Sequence, residues 1–283
     1  MPGKLYIVST PIGNLSDMTP RGIAVLSDAD IVAAEDTRHS RGLLTHFDIR
    51  TPAFSCHKFN EEKRGNFFVE ALMEGKNVAL ISDAGTPCIS DPGHKLVSMA
   101  AEAGIEVVAV PGACAVTAAL SVSGFDASKY VFIGFLPRAT KELTNVFDEN
   151  DLACPLVFYE SPLRISKTME WLSGKYPNAD VCLCNDLTKK FEKVYRGTPE
   201  NILSQLKENP NAQKGEYACV LMLNAPIEIE PDETKEISLE AQLADIMISK
   251  TCTLKDATSI LHKESKAGKK AIYAAALRLK ELF

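Results

Sequence analysis

Short aliphatic runs alternate with helical segments over the first 110 residues, and this alternation limits the fold more than any other feature of the chain. The runs are residues 5–8, 31–34, 53–55, 78–81 and 107–110, of which the third is the weakest. Runs that are apolar at nearly every position are typical of strands buried on both faces. Strands separated by helices predict a parallel sheet covered on both sides. We therefore expect an α/β domain over residues 1–113.

A second α/β block follows the Pro111-Gly112 turn, which indicates a domain junction. Its strand-like runs lie closer together, so we expect a mixed sheet in a second α/β domain over residues 114–225. Residues 226–237 are acidic, contain proline and lack apolar periodicity, as is typical of a linker. Residues 238–283 contain three predicted helices, the second of which opens on a capping box at Thr253. They resemble a helix-turn-helix module, which either binds nucleic acid or serves only for packing or dimerisation.

Composition and motif spacing exclude several classes of protein. Hydrophobic residues make up 46% of the 283 positions. They never form the run of about 20 that a membrane span needs, so none is expected. The first residues lack the apolar segment of a signal peptide, which predicts a cytoplasmic protein. The eight cysteines include no Cys-x-x-Cys pair and the five histidines form no ligand-spaced motif, so no metal site is predicted.

Charge is distributed unevenly along the chain. The formal net charge is −6, yet residues 235–283 carry nine Lys or Arg and six Asp or Glu, a balance of +3. The remaining residues therefore carry −9. An acidic body with a basic end predicts that any contact with a polyanion is concentrated near the C-terminus.

The chemistry is expected where loops follow the strands, because ligands of open α/β sheets bind at the carboxyl ends of the strands. Four loops are candidates: residues 9–14, 35–38, 82–93 and 111–115. The third combines two glycines, two prolines and two aspartates, so bare backbone can approach a ligand there. Neither a Walker-type nor a Gly-x-Gly-x-x-Gly phosphate loop is present. This pattern favours a ligand held by backbone amides, small side chains and a carboxylate, such as an adenosyl group.

Several stretches resemble those of the tetrapyrrole (class III) methylase superfamily. They are residues 8–15, 34–38, 81–93, 110–112, 132–137, 158–165 and 187–189. The Glu-Asp-Thr-Arg and Asp-Ala-Gly-Thr-Pro forms resemble the branch that modifies ribosomal RNA, whereas the cobalamin and sirohaem branches are expected to carry Gly-Asp-Pro. The resemblance implies two α/β domains with an S-adenosylmethionine cleft between them, followed by a small C-terminal helical module. It also implies methylation of a cytidine 2′-hydroxyl in the decoding region of 16S ribosomal RNA, with the 30S subunit as partner, and it favours a homodimer.

The same resemblance implies which residues contact the cofactor. They are Pro11, Ile12, Ala84, Gly85, Thr86, Ile89, Cys114, Ala115 and Leu187. Thr86 stands where other branches are expected to carry the aspartate of Gly-Asp-Pro. Asp83 is therefore the expected substitute for that polar contact.

Methylation of a ribose needs a base, because a hydroxyl is a weak nucleophile at neutral pH. Glu35 and Asp36, beside Arg38, are the leading candidates. An arginine–carboxylate clamp that only holds the loop explains them equally well. Glu160, at the end of an aromatic strand, is a second candidate base.

Other charged residues have weaker assignments. Three cations are candidates for contacts with RNA phosphates, namely Arg164, Lys189 and Lys190. Solvated surface charge is the alternative for them. His39 is a minor candidate for proton transfer, and helix capping is the simplest role for Asp91.

Two rival functions fit part of the pattern. A small-molecule methyltransferase of the same fold, acting on a tetrapyrrole, would use the cofactor loops without needing the C-terminal helices. A non-catalytic RNA-binding protein would use the helices without responding to the cofactor.

Overall fold

The computed structural model describes residues 1–57, 61–148, 154–223, 238–265 and 267–280. The chain divides into two compact units, Met1–Pro226 and Ile227–Phe283. Among the described residues, no helix has both the length and the apolar character to cross a bilayer. The predicted linker at 226–237 lies outside the described residues, and the domain boundary between residues 113 and 114 stays a prediction.

The first sheet of Met1–Pro226 contains the five strands predicted for it. They are β1 (Lys4–Val8), β2 (Ile31–Ala34), β3 (Ala53–Ser55), β4 (Val78–Ile81) and β5 (Glu106–Val110). Their order is β3-β2-β4-β1-β5 and every neighbouring pair is parallel, which confirms the predicted parallel sheet. The intervening helices are α1 (Pro20–Asp28), α2 (Thr37–His46), α3 (Glu61–Met73) and α4 (His94–Glu102).

Aliphatic side chains of this sheet fill two cores, one on each face. Leu5 and Leu80 belong to one core together with Phe68 of α3, and Val8 and Ile81 belong to the other. Adjacent residues of β1 and β4 point in opposite directions, so both faces of these strands are buried. This explains why the strands are apolar at nearly every position.

The second sheet is mixed, as predicted. Its strands are β6 (Val131–Phe135), β7 (Leu156–Glu160), β8 (Asp180–Asn185), β9 (Lys193–Gly197) and β10 (Tyr217–Met222). The order is β6-β7-β10-β8-β9, in which β6 and β7 are parallel and the other pairs antiparallel. Four helices accompany it: α5 (Ala115–Ser123), α6 (Thr140–Asp148), α7 (Ile165–Lys175) and α8 (Pro199–Glu208). Sequence patterns predict helices over residues 163–173 and 199–208, which correspond to α7 and α8, but they do not predict α5 or α6.

The Ile227–Phe283 unit contains α9 (Leu239–Ser249), α10 (Leu254–Glu264) and α11 (Lys269–Lys280). Their shared core includes Leu243, Ala257, Ile272 and Ala275. The capping box predicted at Thr253 is present, with the Thr253 hydroxyl accepting from the Asp256 amide at 3.3 Å. The unit is therefore a small three-helix bundle with its own apolar core.

Candidate functional site

A cavity of about 370 Å³ lies between the two sheets of the Met1–Pro226 unit. Loops that follow β1, β4 and β5 form one wall, and the ends of β6 and β7 with the start of β10 form the other. All the first-wall loops leave the carboxyl edge of the parallel sheet, where ligands of such sheets bind.

Hydroxyl groups join three of these loops. Thr86 Oγ1 donates to the carbonyl oxygen of Ala113 at 3.1 Å and lies 2.9 Å from Ser9 Oγ. Because a threonine has a single hydroxyl hydrogen, Ser9 is the donor in the second contact. Thr10 and Gly85 also exchange backbone hydrogen bonds of 2.8 and 3.1 Å. Hydrogen bonds thus join the three loops into one continuous wall of the cavity.

The loop after β2 is tied to the same surface by two carboxylates. Glu35 Oε2 accepts from the Asp83 amide at 3.4 Å, and Asp83 Oδ1 accepts from the Asp36 amide at 3.1 Å. All four loops predicted to converge are therefore joined by hydrogen bonds at one edge of the sheet.

The loop between β4 and α4 holds an unusual backbone. Cys88 and Ser90 are non-glycine residues in the left-handed region, with φ of 69° and 70°. Gly93, at φ 126°, is the N-cap of α4, and a Cβ there would lie 2.7 Å from a Leu80 methyl carbon. Left-handed non-glycine residues are costly and tend to occur at functional sites. As the N-cap residue, Gly93 makes no side-chain hydrogen bond to α4, and capping of this helix by Asp91 stays a prediction.

The charge inside the cavity suits a cation. Asp91, Glu160 and Glu216 contribute to the lining, and the described lining residues include neither lysine nor arginine. Burial, reinforced by the charge of Glu35, raises the pKa of Asp91 to about 6. Burial also raises the pKa of the Tyr159 hydroxyl. Glu160 and Glu216 each pair with a basic residue outside this lining, so Asp91 contributes most of the uncompensated negative charge that would face a cationic ligand.

Comparison with known proteins identifies the family. The model of the Tetrapyrrole (Corrin/Porphyrin) Methylases matches residues 4–203. The chain belongs to this family. Its methyltransferases use S-adenosylmethionine as cofactor.

Curated relatives match almost the whole chain. Ribosomal RNA small subunit methyltransferase I of Haemophilus influenzae is 41% identical over 278 residues, 96% of this chain and 95% of the relative. The protein of the same name from Pasteurella multocida is 42% identical over 277 residues, with the same two coverages. A solved uroporphyrin-III C-methyl transferase from Thermus thermophilus, complexed with S-adenosyl homocysteine, has a TM-score of 0.53. It is 16% identical and covers 78% of this chain and 97% of its own, which shows the shared fold alone.

Most of the cofactor residues implied by this methylase family line the cavity. Those that do are Ile12, Ala84, Gly85, Thr86, Ile89, Cys114, Ala115 and Leu187. Pro11 and Asp83 instead line a neighbouring cavity of about 380 Å³, together with His39 and Lys189. Asp83 therefore holds the loop after β2 rather than facing the first cavity, and the Thr86 hydroxyl is occupied in joining loops.

The four candidate catalytic residues occupy different surroundings. Asp36 caps α2, accepting from the Arg38 amide at 2.9 Å, and pairs with the Arg38 guanidinium at 2.7 Å. These hydrogen bonds hold the pKa of the Asp36 carboxyl well below its usual range. Burial raises the pKa of Glu35. Neither Glu35, Asp36 nor Arg38 lines either cavity, which favours the clamp over direct chemistry.

Glu160 does line the first cavity, but its carboxylate already has several partners. It accepts from the Ser161 amide at 2.7 Å and the Thr168 hydroxyl at 2.8 Å, and Arg164 Nη2 lies 3.2 Å away. Arg164 Nη2 also donates to the carbonyl oxygens of Leu136 and Pro137, both at 2.9 Å. The pair thus braces the cavity wall behind β6 and β7.

The two lysines proposed to contact RNA differ from each other. Lys189 Nζ pairs with Asp186 at 2.9 Å and with Glu216 at 2.8 Å. Lys190 is exposed, and its ammonium lies 5.5 Å from the ring centroid of Phe191. Of the predicted RNA contacts, Lys190 is therefore the one that presents its charge to solvent.

Sequence reasoning missed several residues that line the cavity. Phe135, Tyr159 and Tyr217 line the cavity, as does Asp91. Phe135 and Tyr159 lie within stretches that carried the family resemblance, so the signal existed. It was not used because an aromatic residue in a strand is more often part of the core.

Proposed function

We propose that this chain transfers the methyl group of S-adenosylmethionine to the 2′-hydroxyl of a cytidine in the decoding region of 16S ribosomal RNA, acting on the 30S subunit. One observation carries the proposal: relatives named for small-subunit ribosomal RNA methylation match 96% of the chain. That match extends beyond residue 203, where the family model ends, into the C-terminal helices. The cytidine and its 2′-oxygen come from the sequence resemblance.

The first cavity fits S-adenosylmethionine by its chemistry. Small residues such as Ala84, Gly85 and Ala115 leave room, and the acidic lining suits a sulfonium and an ammonium group. Gly85 is closely packed, since a Cβ there would lie 3.2 Å from Ile12 Cγ2. When bound, the cofactor supplies an activated methyl group. The chain must then position the ribose, exclude water and accept a proton, and positioning alone can contribute about 7–11 kcal/mol.

Asp91 is the carboxylate best placed to accept the proton of the ribose hydroxyl. It lines the cavity, and its pKa of about 6 lies near the operating pH of a general base. Glu35 and Asp83 raise this pKa by their charge. In this scheme the pair Glu160–Arg164 and the clamp Asp36–Arg38 position the walls, and Glu35 acts through Asp91.

The charge distribution supports further parts of the proposal. We propose that the protein is a cytoplasmic homodimer, in which two C-terminal segments of net charge +3 approach the same polyanion. Molar mass in solution, measured by light scattering, tests the dimer. A monomer at micromolar concentration would contradict it.

The experiment that tests the reaction uses 30S subunits that lack the modification. The protein is incubated with these subunits and with S-adenosylmethionine labelled in the methyl group. Nuclease digestion and mass spectrometry then locate the label. We expect it on a cytidine ribose, and label on a base only, or none at all, would contradict the proposal. Free tetrapyrrole as acceptor tests the small-molecule alternative in parallel.

A further inference from the structure

An aromatic side chain stands exposed at the mouth of the first cavity. Phe135, the last residue of β6, is 60% exposed although it lines the cavity. Ile89 in the loop after β4 lines the same cavity and is 40% exposed. An exposed aromatic group on a concave surface commonly marks a binding site.

The backbone is specifically shaped to present both side chains. The register between β6 and β7 shifts between Phe132 and Gly134, and Gly134 has φ of 78°. Such a bulge redirects the side chain that follows it, here Phe135. Ile89 lies between the two left-handed residues Cys88 and Ser90. Maintaining two strained residues beside an exposed isoleucine is a cost that a merely structural loop does not require.

These two backbone features are neighbours in space. A Cβ placed on Gly134 would lie 3.6 Å from Ser90 Oγ. The Phe135 ring is braced edge-on by Tyr159, with ring centroids 5.6 Å apart, and Tyr159 is braced by Phe132 at 5.1 Å. Phe135 is therefore an oriented aromatic surface, with Ile89 on the loop beside it.

We propose that Phe135 and Ile89 form a slot that holds one unpaired pyrimidine base of the RNA, with Phe135 as the stacking surface. This inference rests on the proposed function and extends it. An enzyme that acts on a nucleotide inside a cavity must extract it from its stack, and the base must then lie next to the ribose. Aromatic side chains are the usual platforms for unpaired bases.

A pair of synthetic RNAs tests the slot directly. One carries a single cytidine flanked by abasic riboses, and the other is abasic throughout, so only the first has a base to stack. Binding of each fluorescein-labelled RNA is measured by anisotropy with the full chain in the presence of S-adenosyl homocysteine. The variants are Phe135→Ala, Phe135→Tyr and Ile89→Ala. Phe54→Ala is the matched control, because Phe54 is exposed on β3 and lines neither cavity.

We expect Phe135→Ala to weaken binding of the cytidine RNA by about 5- to 150-fold and binding of the abasic RNA by less than about twofold. Phe135→Tyr should retain binding of the cytidine RNA, and Ile89→Ala should weaken it by less than Phe135→Ala does. Phe54→Ala should leave the affinities for both RNAs unchanged. An equal loss on both RNAs overturns the slot, as does loss of S-adenosyl homocysteine binding by Phe135→Ala in calorimetry. A change in molar mass caused by Phe135→Ala also overturns it, because Phe135 would then belong to an interface between copies.

Methylation of 30S subunits by the unaltered protein separates this inference from the function on which it rests. If the unaltered protein fails to methylate while the cytidine RNA still depends on Phe135, the proposed function fails and the slot stands. If methylation proceeds and Phe135→Ala changes neither RNA binding nor the KM for 30S subunits, the slot fails and the function stands.

Discussion

Glu35 and Asp83 each bind the backbone of the other's loop. The Glu35 carboxylate accepts from the Asp83 amide at 3.4 Å, and the Asp83 carboxylate accepts from the amide of Asp36, the residue after Glu35, at 3.1 Å. The two carboxylates repel each other, and burial with this repulsion raises the pKa of Glu35. Two acidic side chains are thus held close together to fix the loops after β2 and β4.

The first prediction concerns this reciprocal contact. Asp83→Ala removes the acceptor of the Asp36 amide, whereas Asp83→Asn keeps an oxygen in the same place. A lost hydrogen bond of this kind is worth about 1 kcal/mol, so Asp83→Ala should weaken S-adenosyl homocysteine binding by about fivefold. Asp83→Asn should bind within about twofold of the unaltered protein by calorimetry. Equal affinity of the alanine variant would show that the cavity does not depend on the loop after β2.

The second prediction is a pH profile set by Asp91. A general base must be deprotonated, and the pKa of Asp91 is about 6. The kcat/KM for 30S subunits should therefore fall tenfold per pH unit below about pH 6 and level off above it. Asp91→Asn should lose about 10²- to 10⁴-fold at pH 8, and the limb near pH 6 should disappear. A limb that persists in this variant would assign the base to another group, with Glu35→Gln as the next variant to measure.

Stability provides the control for Asp91→Asn. Because the pKa is raised on folding, the folded state binds more protons than the unfolded state between about pH 4 and pH 6. The favourable contribution of proton binding by Asp91 to the free energy of unfolding is complete below pH 4 and is lost as the pH rises through 6. Asn carries no charge at any pH, so the variant should gain stability relative to the unaltered protein at pH 8 and not at pH 4. Denaturant unfolding at both pH values measures this difference.

The third prediction separates two roles for Arg164. Its guanidinium pairs with Glu160, which is 2% exposed, and donates to two carbonyl oxygens. Removing one partner of a buried pair costs about 3–5 kcal/mol. We expect Arg164→Ala to lower the free energy of unfolding by about 3 kcal/mol and to leave the salt dependence of 30S binding unchanged. Lys190→Ala should leave the free energy of unfolding unchanged and should reduce the salt dependence of 30S binding. A reduced salt slope with normal stability in Arg164→Ala would restore the phosphate-binding role.

Much of this architecture could be predicted from the sequence because local signals and tertiary packing agree. The strands of the first sheet are apolar at nearly every position, and Thr19-Pro20 opens α1 with the Thr19 hydroxyl accepting from the Gly22 amide. Helix α5 was missed because it packs its apolar residues against the second sheet and has little polar face to create a helical period. A buried helix of nine residues cannot be distinguished from a strand by periodicity alone.

The roles of individual carboxylates could not be predicted in the same way. Four carboxylates follow strands of the first sheet, namely Glu35, Asp36, Asp83 and Asp91. Position in the sequence therefore does not show which of them lines a cavity. Which of them faces a cavity depends on side-chain direction and on partners distant in the chain, such as the pairing of Glu35 with the Asp83 amide. Tertiary packing alone selects Asp91 as the one of these four carboxylates that lines the first cavity.

The last prediction concerns the three-helix bundle. Lys269, Lys270 and Lys280 are exposed on α11, in the segment of net charge +3. Replacing all three by glutamine should weaken 30S binding about tenfold near physiological salt, because each phosphate contact contributes through counterion release. The slope of log Kd against log salt should fall by about 2. Lys167, Lys175 and Lys207, exposed on α7 and α8, provide a control triple with the same change in net charge. An equal loss in both triples would indicate a general electrostatic effect and would leave α11 with a packing role only.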